Sequence, residues 1–327
     1  MPTAGLEQPD AEDLQPTDID PAGELEACNH LLDDHRALMR SYEDDGYLLL
    51  RGVLDLDSIE RARDEMLAVA ANHGLVESGD KEGRWTGKTV SVMEESPEFA
   101  GISRRLVEHP RNNKLLQKVL GEPACAVPIV QYRIYPPNGP ATMVHQDGFY
   151  SPGIRDYKPI WITLTPCQRE LGGLMLAVRQ NKRGYLHNVA KPAPYKIPKG
   201  VIPEQSWSTT DYYPGDVLIV HPFTPHATRP NRSDRLRVTF DTRVQSARNP
   251  SAVAATIAAV TDDSITVNSD LFGQRTYRVT PDTFMRIQNT GAREPFETLI
   301  EIAKPGMRIV VVSEGDRAVM LRRAAEG

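Results

Sequence analysis

Between residues 25 and 248 the hydrophobic positions change from helical spacing to short apolar or alternating runs. Apolar side chains at helical spacing predict helices over residues 25–44, from about Asp57 to His73, and over residues 100–119. Runs bounded by turn residues predict strands at residues 130–135, at 217–220 and at 235–241. This part of the chain is therefore expected to be mainly β with flanking helices.

After Asn249-Pro250 the pattern becomes a series of short Val-, Ile- and Thr-rich runs separated by turns. We expect strands at residues 253–260, 264–268, 274–279, 284–288, 307–312 and 318–322. Five or six strands at that spacing predict a small β-barrel, of the type that binds oligonucleotides or oligosaccharides. This region carries 9 Lys and Arg against 10 Asp and Glu, so a structural or dimerisation role is favoured over nucleic-acid binding.

The chain thus divides into three regions. Residues 1–24 are acidic and Pro-rich, with no Lys or Arg, which predicts a disordered tail. Residues 25–248 form the main domain, and residues 252–327 form the small barrel-like domain.

Composition narrows the classes of partner. A net charge of −6 with no basic block argues against nucleic acid, and no apolar run approaches the length of a membrane span. The start of the chain lacks the features of a signal peptide. Three widely spaced cysteines (Cys28, Cys125 and Cys167) are expected to be reduced thiols. Together these features predict a cytoplasmic protein acting on a small molecule, with a homodimer as an open alternative.

The most specific chemical signal is the pair His145 and Asp147. On an extended segment two residues separated by one position share a face. A distant histidine, His226, would complete two imidazoles and one carboxylate, which is the ligand set of non-heme Fe(II) oxygenases and leaves coordination positions open. A His-x-Asp pair alone also fits a surface turn, and His221 competes with His226 as the distal ligand.

Arg237 follows His226 by eleven positions, on a predicted strand whose alternation also places Arg235 and Thr239 on its face. A planar guanidinium suits a carboxylate bound through both oxygens, such as the distal carboxylate of 2-oxoglutarate. The spacing between His226 and Arg237 favours His226 over His221.

The segment from His226 to Arg237 resembles the distal-histidine region of the phytanoyl-CoA dioxygenase family, a branch of the Fe(II)/2-oxoglutarate oxygenases. The sequence His145-Gln146-Asp147 is similar to the proximal motif of that family. Further resemblance lies in residues 45–53 and 161–165 and in the Gly172-Gly173-Leu174 turn. The resemblance covers about residues 31–244 and implies a double-stranded β-helix, a form of jelly roll.

The resemblance also implies the cofactors and several roles. It implies Fe(II) bound by His145, Asp147 and His226, with 2-oxoglutarate and O2 as co-substrates. Thr228 matches a hydroxyl residue that binds the co-substrate carboxylate. Three further residues match positions near 2-oxoglutarate, namely Gln131, Arg133 and Trp161. For Gln131 and Arg133 a solvated strand face is the alternative, and for Trp161 an ordinary core tryptophan.

The predicted activity is oxidation, most simply hydroxylation, of a C–H bond in a small substrate of specialised metabolism such as antibiotic biosynthesis, with release of succinate and CO2. Asp147 argues against a halogenase, because the resembling halogenases have Gly or Ala at the carboxylate position. A jelly-roll sensor that binds a metal or ligand without turnover is the alternative from another class. Specificity is expected to lie in loops 78–98, 149–158 and 185–212, and the primary substrate stays open.

Overall fold

The computed structural model describes residues 5–89, 97–99, 101–288 and 293–324. The helices in these ranges are α1 His35–Asp45, α2 Leu56–Asn72, α3 Ile102–Val107, α4 Pro110–Leu120, α5 Asp147–Tyr150 and α6 Leu299–Ile302. No helix among the described residues has the length and apolar character needed to cross a bilayer.

The strands fall into two groups along the chain. Those of the main domain are β1 Gly23–Glu24, β2 Tyr47–Leu50, β3 Ala124–Tyr135, β4 Lys158–Thr163, β5 Leu174–Ala177, β6 Trp207–Thr209, β7 Val217–Val220, β8 His226–Thr228 and β9 Arg237–Ser246. Those of the C-terminal region are β10 Ala252–Val260, β11 Ser264–Ser269, β12 Gly273–Arg278, β13 Phe284–Arg286, β14 Arg308–Glu314 and β15 Arg317–Arg323.

The main domain is built from two sheets. One has five strands in the order β2-β7-β4-β9-β3, and the other has four in the order β1-β6-β5-β8. Neighbouring strands within each sheet are antiparallel except the short β1–β6 pair. Side chains from both sheets line one cavity between them. This is the double-stranded β-helix that the sequence predicted.

Strand alternation gives the five-stranded sheet two different faces. Leu48, Ile160 and Phe240 lie on the outer face, in a core cluster with Tyr42 of α1 and Met66 of α2. The residues that alternate with them along each strand point inward, because side chains on a strand alternate between faces. Leu49, Trp161 and Leu218 accordingly belong to a separate cluster that includes residues of the four-stranded sheet. The outer face therefore packs against the helices, and the inner face lines the cavity.

The prediction of a disordered tail over residues 1–24 is wrong for residues 5–24, while residues 1–4 lie outside the described part of the chain. The acidic residues of this segment find basic partners far along the chain. Asp13 lies 3.0 Å from the Nζ of Lys191, and Glu12 lies 2.7 Å from that of Lys199. Ile19 is buried in a cluster with Trp207. Local composition could not reveal partners about 180 residues away.

All three predicted helices differ in extent from those observed. The helix predicted over residues 25–44 is limited to His35–Asp45, where the side chain of Asp34 caps it by accepting the N–H of Ala37 at 2.9 Å. The predicted helix 100–119 is two helices, α3 and α4, because Pro110 lacks an N–H and fits only at the first turn of a new helix. The helix predicted from Asp57 begins at Leu56, since the side chain of Asp55 caps it by accepting the N–H of Ser58 at 3.0 Å.

The edge strand β3 is longer than predicted and irregular near its middle. It pairs with β9 from Ala124↔Ser246 to Tyr135↔Arg237, with a shift of register between Val127 and Gln131. Pro128 lies inside that shift. A proline cannot donate to the ladder, so an irregular edge strand is where it is tolerated.

The C-terminal strands form a third sheet in the order β12-β11-β10-β14-β15-β13. An additional pairing joins β12 to β15 at Arg278↔Arg317, so five of these strands form a ring. The six predicted strands are all present within a few residues. Relation to the oligonucleotide-binding type of barrel stays a prediction.

This third sheet packs against the segment that follows Asp147. Ile154 and Tyr157 share a buried cluster with Val310, Val312 and Met320. Ser251 accepts the backbone N–H of Arg155 at 3.0 Å, and the Arg155 guanidinium donates to the carbonyl of Ser313 at 2.9 Å. Residues 151–157 are therefore held from behind by the C-terminal sheet.

Substitution of Gly153 tests the contact between residues 151–157 and the C-terminal sheet. A Cβ at Gly153 would lie 2.6 Å from Cγ1 of Val319, whereas one at Gly315 would meet no atom within 4 Å, and both glycines have positive φ. Because only the first substitution adds a clash, we expect Gly153→Ala to lower the free energy of unfolding by about 1–3 kcal/mol more than Gly315→Ala. Denaturant unfolding of the two variants measures the difference, and equal losses would contradict the contact.

Candidate metal centre

Three of the predicted site residues meet between the two sheets. The ligand atoms of His145, Asp147 and His226 all lie within 4.8 Å of one another. His226 is buried, and the other two are largely buried. The Nε2 of His145 is 3.9 Å from Oδ1 of Asp147, and the two imidazole centroids are 4.2 Å apart. Two imidazoles and one carboxylate on one side of a small space can hold a divalent metal and leave its other side open.

Backbone carbonyls orient both imidazoles. The Nδ1 of His145 is 2.9 Å from the carbonyl oxygen of Met143, and the Nδ1 of His226 is 2.9 Å from that of Thr224. A carbonyl can only accept, so each Nδ1 carries the proton and each Nε2 keeps its lone pair. The same bond fixes the tautomer and direction of metal-binding histidines in general.

The local structure around the motif differs from the predicted strand. His145 forms an isolated antiparallel bridge with His226, whereas Asp147 is the first residue of α5. Between them the fully buried Gln146 donates to the carbonyls of Gly184 and Phe223 at 2.8 and 2.7 Å. His226 lies within β8 rather than past the end of a strand. The buried amide of Gln146 therefore anchors the motif.

The electrostatic environment keeps the ligands in the forms that bind metal. Burial, together with the nearby His226, lowers the pKa of His145 to about 3. Burial alone would raise the pKa of Asp147, but the guanidinium of Arg243 and the two histidines outweigh it and bring the pKa to about 2. A neutral imidazole and an ionised carboxylate are the coordinating forms.

Arg237 lies in the same cavity with its guanidinium fully buried. It donates to the carbonyls of Gly172 and Arg229 and, at 3.3 Å, to Oγ1 of Thr228, while its Nε has no partner. Its guanidinium carbon lies 4.5 Å from the centre of the Tyr135 ring. No carboxylate of the described residues lies within ion-pair distance of it. A buried arginine keeps its charge, so the charge of Arg237 is not balanced by any carboxylate of the described residues.

Thr228 is placed to complete an anion site. Its Oγ1 accepts the backbone N–H of Thr142 at 2.8 Å as well as the bond from Arg237. A hydroxyl with both lone pairs engaged still has its hydrogen to donate. The residues present therefore fit a carboxylate at this end of the cavity.

The remaining sequence candidates lie nearby but differ in exposure to the cavity. Arg133 and Trp161 line it, and Gln131 does not. Arg133 is bound by other protein groups, since it donates to Asp241 at 3.0 Å and to the amide oxygen of Gln131 at 2.7 Å. Gln131 thus supports Arg133 from behind. Trp161 also packs edge-on against Tyr212, with the ring centroids 4.7 Å apart.

Sequence reasoning missed the inner face of β9 beyond Thr239. Asp241 lines the cavity, and Arg243 donates to Oδ1 of Asp147 at 2.8 Å. Alternation from Arg237 would have placed both residues on this face, since each is two positions further along the strand.

The competing histidine His221 lies outside the cluster of possible ligands. Its Nδ1 accepts the N–H of Phe223 at 3.1 Å, and its Nε2 lies 3.6 Å from a carboxylate oxygen of Glu43. Both ring nitrogens therefore have protein partners.

Another histidine beside the site, His187, belongs to the predicted specificity loop 185–212. It is fully buried, its ring stacks on Phe149 with centroids 3.9 Å apart, and its Nε2 accepts the N–H of Gln146 at 3.4 Å. Loop 149–158 likewise reaches the site, since Tyr150 lies beside His145. In the third loop, 78–98, residues 90–96 lie outside the described part of the chain.

Comparison with known proteins agrees with this arrangement. The sequence model of the phytanoyl-CoA dioxygenase family matches residues 42–239. The chain is 33% identical over 243 residues to a 1-deoxypentalenic acid 11-beta-hydroxylase from Streptomyces exfoliatus, covering 67% of this chain and 84% of that protein. It is 31% identical over 238 residues to the enzyme of the same name from Streptomyces arenae, with the same coverages.

Among solved structures, EctD from S. alaskensis with 2-oxoglutarate and 5-hydroxyectoine superposes with a TM-score of 0.52. The sequence identity is 16%, and the match covers 75% of this chain and 87% of EctD. This similarity supports the fold.

His187 makes the free energy of unfolding depend on pH. Burial and the neighbouring histidines lower the pKa of His187 from 6.5 to about 3. Below pH 6.5 the unfolded chain takes up a proton that the folded chain accepts only near pH 3. This proton lowers the free energy of unfolding by up to about 1.4 kcal/mol per pH unit as the pH falls through that window.

In His187→Gln this titration is removed. With a chelator present, denaturant unfolding at several pH values between 6.5 and 3 should therefore show a shallower loss of stability than in the parent. The same substitution at the exposed His30 controls for loss of an imidazole. An unchanged slope in His187→Gln would show that His187 is not held neutral.

Proposed function

The chain belongs to the phytanoyl-CoA dioxygenase family of Fe(II)- and 2-oxoglutarate-dependent oxygenases, and we propose that His145, Asp147 and His226 hold its iron while Arg237 and Thr228 hold its co-substrate. One observation carries this assignment: three correctly oriented metal ligands share a cavity with a buried guanidinium that has no carboxylate partner among the described residues. A metal centre alone would not require the second feature.

The ligand set suits iron in particular. Two neutral imidazoles and one carboxylate give the borderline ligand field of non-heme Fe(II) sites. The Nε2 atoms converge because each Nδ1 is bound to a carbonyl two residues earlier in the chain. With three protein ligands on one side, the opposite side stays accessible from the cavity.

The co-substrate end of the cavity suits the distal carboxylate of 2-oxoglutarate. Arg237 uses three hydrogen bonds to protein oxygens, which leaves two of its five N–H donors for a ligand. The hydroxyl of Thr228 adds a third donor. We assign Trp161 and Arg133 to the walls of this pocket, where Arg133 is held in place by Gln131 and Asp241.

Bound together, Fe(II) and 2-oxoglutarate supply the oxidising chemistry, in which O2 is consumed, 2-oxoglutarate becomes succinate and CO2, and an oxygen atom enters a substrate C–H bond. The residues of this chain would bind the metal and the co-substrate, orient the substrate and enclose all three. Burial keeps His145 neutral, and the guanidinium of Arg243 balances the negative charge of Asp147. Apolar walls that include Trp161, Leu174 and Val220 limit water in the cavity.

The substrate is a small molecule, and we propose a specialised metabolite hydroxylated at one carbon. The two Streptomyces hydroxylases support this class, because they match over two thirds of the chain and are named for a single-position hydroxylation. 1-Deoxypentalenic acid is therefore the first compound to test. Two of the predicted specificity loops are joined by a hydrogen bond, in which the hydroxyl of Tyr150 donates to the backbone carbonyl of Tyr195 at 3.0 Å.

We further propose a cytoplasmic location. The three cysteines are unpaired, and two of them are buried, which agrees with a reducing compartment.

Replacing any one of the three proposed ligands tests the metal assignment. His145→Ala, Asp147→Ala and His226→Ala each remove a ligand, so 2-oxoglutarate-dependent O2 consumption should fall to background. The matched control is His221→Ala, which should keep most of the activity. An oxygen electrode with parallel measurement of succinate records both. Loss in His221→Ala with activity retained in His226→Ala would reverse the assignment. Oxygen consumption by none of the proteins would instead support the sensor alternative.

Replacing Arg237 tests the co-substrate site. Removing one partner of a buried charge pair costs about 3–5 kcal/mol, so the Kd for 2-oxoglutarate in Arg237→Ala should rise by about two to three orders of magnitude. Arg237→Lys should recover part of the loss, because charge remains and the fork geometry is lost. Arg235→Ala is the control, since Arg235 is partly exposed beside Glu82. Titration of the metal-loaded protein measures each constant, and similar effects at both positions would contradict the assignment.

A further inference from the structure

Arg243 is a second buried arginine of β9, nearer the C-terminal end of the strand than Arg237. The two are six positions apart, which corresponds to about 20 Å along an extended strand, and alternation puts both on the inner face. Its side chain is only 7% exposed, and its terminal NH2 group donates to Oδ1 of Asp147 at 2.8 Å. One strand therefore carries Arg237, which lines the cavity, and Arg243, which binds Asp147.

The oxygen that Arg243 binds is turned toward the histidines. Oδ1 of Asp147, which accepts from Arg243, also lies 3.9 Å from Nε2 of His145. A hydrogen bond to one carboxylate oxygen fixes the rotation of the whole group. Arg243 therefore determines where the oxygen nearest His145 is located.

Arg243 is itself held by the wall of the cavity. It lies opposite Val127 on β3 and Pro159 on β4, and its NH1 is 3.5 Å from the carbonyl oxygen of Ile129. Val127, Ile129 and Tyr157 belong to the cluster that packs against the C-terminal sheet. The charged and titratable groups that act on Arg243 are Asp147, Asp241 and Tyr157.

We propose that Arg243 is the positioning residue of the metal centre, holding Asp147 in its ligating orientation before the metal arrives. The proposal rests on the ligand assignment made above and adds a residue that touches neither metal nor substrate. In the metal-free protein the guanidinium supplies the counter-charge that a buried carboxylate needs. It also prevents the carboxylate from turning toward another donor.

The positive charge of Arg243 also acts against an incoming cation, so the two effects oppose each other. At 2.8 Å from Asp147 the arginine and the carboxylate form a pair with no net charge, which weakens the repulsion. Orientation is then the larger effect, because loss of a hydrogen-bonding partner of a metal ligand generally costs about 10–100-fold in metal affinity.

Titration of the full-length protein with Ni(II), an oxygen-stable substitute for Fe(II), measures this effect independently of turnover. Arg243→Met and Arg243→Gln should bind Ni(II) about 10–100-fold more weakly than the parent. Arg243→Lys should recover part of the loss, since a charged donor remains. Arg51→Met is the matched control, because it breaks an ion pair of 2.7 Å with the buried Asp216, which is not a proposed ligand. It should change the Kd for Ni(II) by less than about threefold.

A double-variant comparison separates positioning from a general structural role. If Arg243 acts through Asp147, Arg243→Gln should weaken Ni(II) binding in the parent and cause no further loss when added to Asp147→Asn. Affinity unchanged in Arg243→Gln, or an equal loss in both backgrounds, overturns the proposal. Arg243→Lys and the melting temperature of each metal-free variant cover the case in which Arg243→Met fails to fold.

The outcome is distinct from that of the proposed function. A parent protein that binds Ni(II) through Asp147 but never consumes 2-oxoglutarate would refute the activity and leave the role of Arg243 intact. A parent that turns over 2-oxoglutarate, with Arg243→Gln binding Ni(II) normally, would do the reverse.

Discussion

The constraint on which this active centre depends is the burial of charge between two apolar sheets. Three charged side chains of β9 (Arg237, Asp241 and Arg243) point inward because strand residues alternate between faces. A buried charge is tolerated when it has a partner. Arg243 has Asp147 and Asp241 has Arg133, whereas Arg237 has no carboxylate among the described residues. That imbalance is the physical basis on which we propose Arg237 as the residue that binds the dianionic co-substrate.

The same sheet explains how the site is positioned. Its outer face is covered by α1, α2, α3 and α4, so the strand positions are set by a large apolar core. The inner face can then present polar groups with little freedom to move. On the opposite sheet His226 and Thr228 are separated by one residue on β8, which directs the proposed metal ligand and the proposed co-substrate ligand into one cavity.

The contacts that hold the proposed metal centre in place extend beyond the region that matches the family. The family match ends at residue 239, yet Arg243 and the C-terminal sheet both lie beyond it. The sheet packs behind residues 151–157, and those residues follow directly from α5, which begins with Asp147. At the other end of the chain, residues 5–24 are tied by ion pairs to the loop that contains His187. Both added segments thus contact the loops around the metal centre.

The sequence by itself determined the parts of this protein that depend on local order. Strand alternation and turn residues predicted individual strands of the main domain and the C-terminal strands, because those patterns depend only on neighbouring positions. The two-sheet arrangement of the main domain was implied by the family resemblance. The resemblance of the residues from His226 to Arg237 indicated the family, because the motif lies within two strands that are consecutive in the sequence and the turn between them. It also pointed to Arg237, since the spacing from His226 is short.

Only the tertiary structure decided the relations between distant segments. The partner of Asp147 lies 96 positions away at Arg243, and the lysine partners of Asp13 and Glu12 lie 178 and 187 positions away. Nothing in local composition distinguishes a solvated acid from one that meets a lysine in the folded chain. Pro110 and Gln146 show the same limit at shorter range. The effect of Pro110 depended on where a helix could restart, and that of Gln146 on which carbonyls the fold brought within reach of its buried amide.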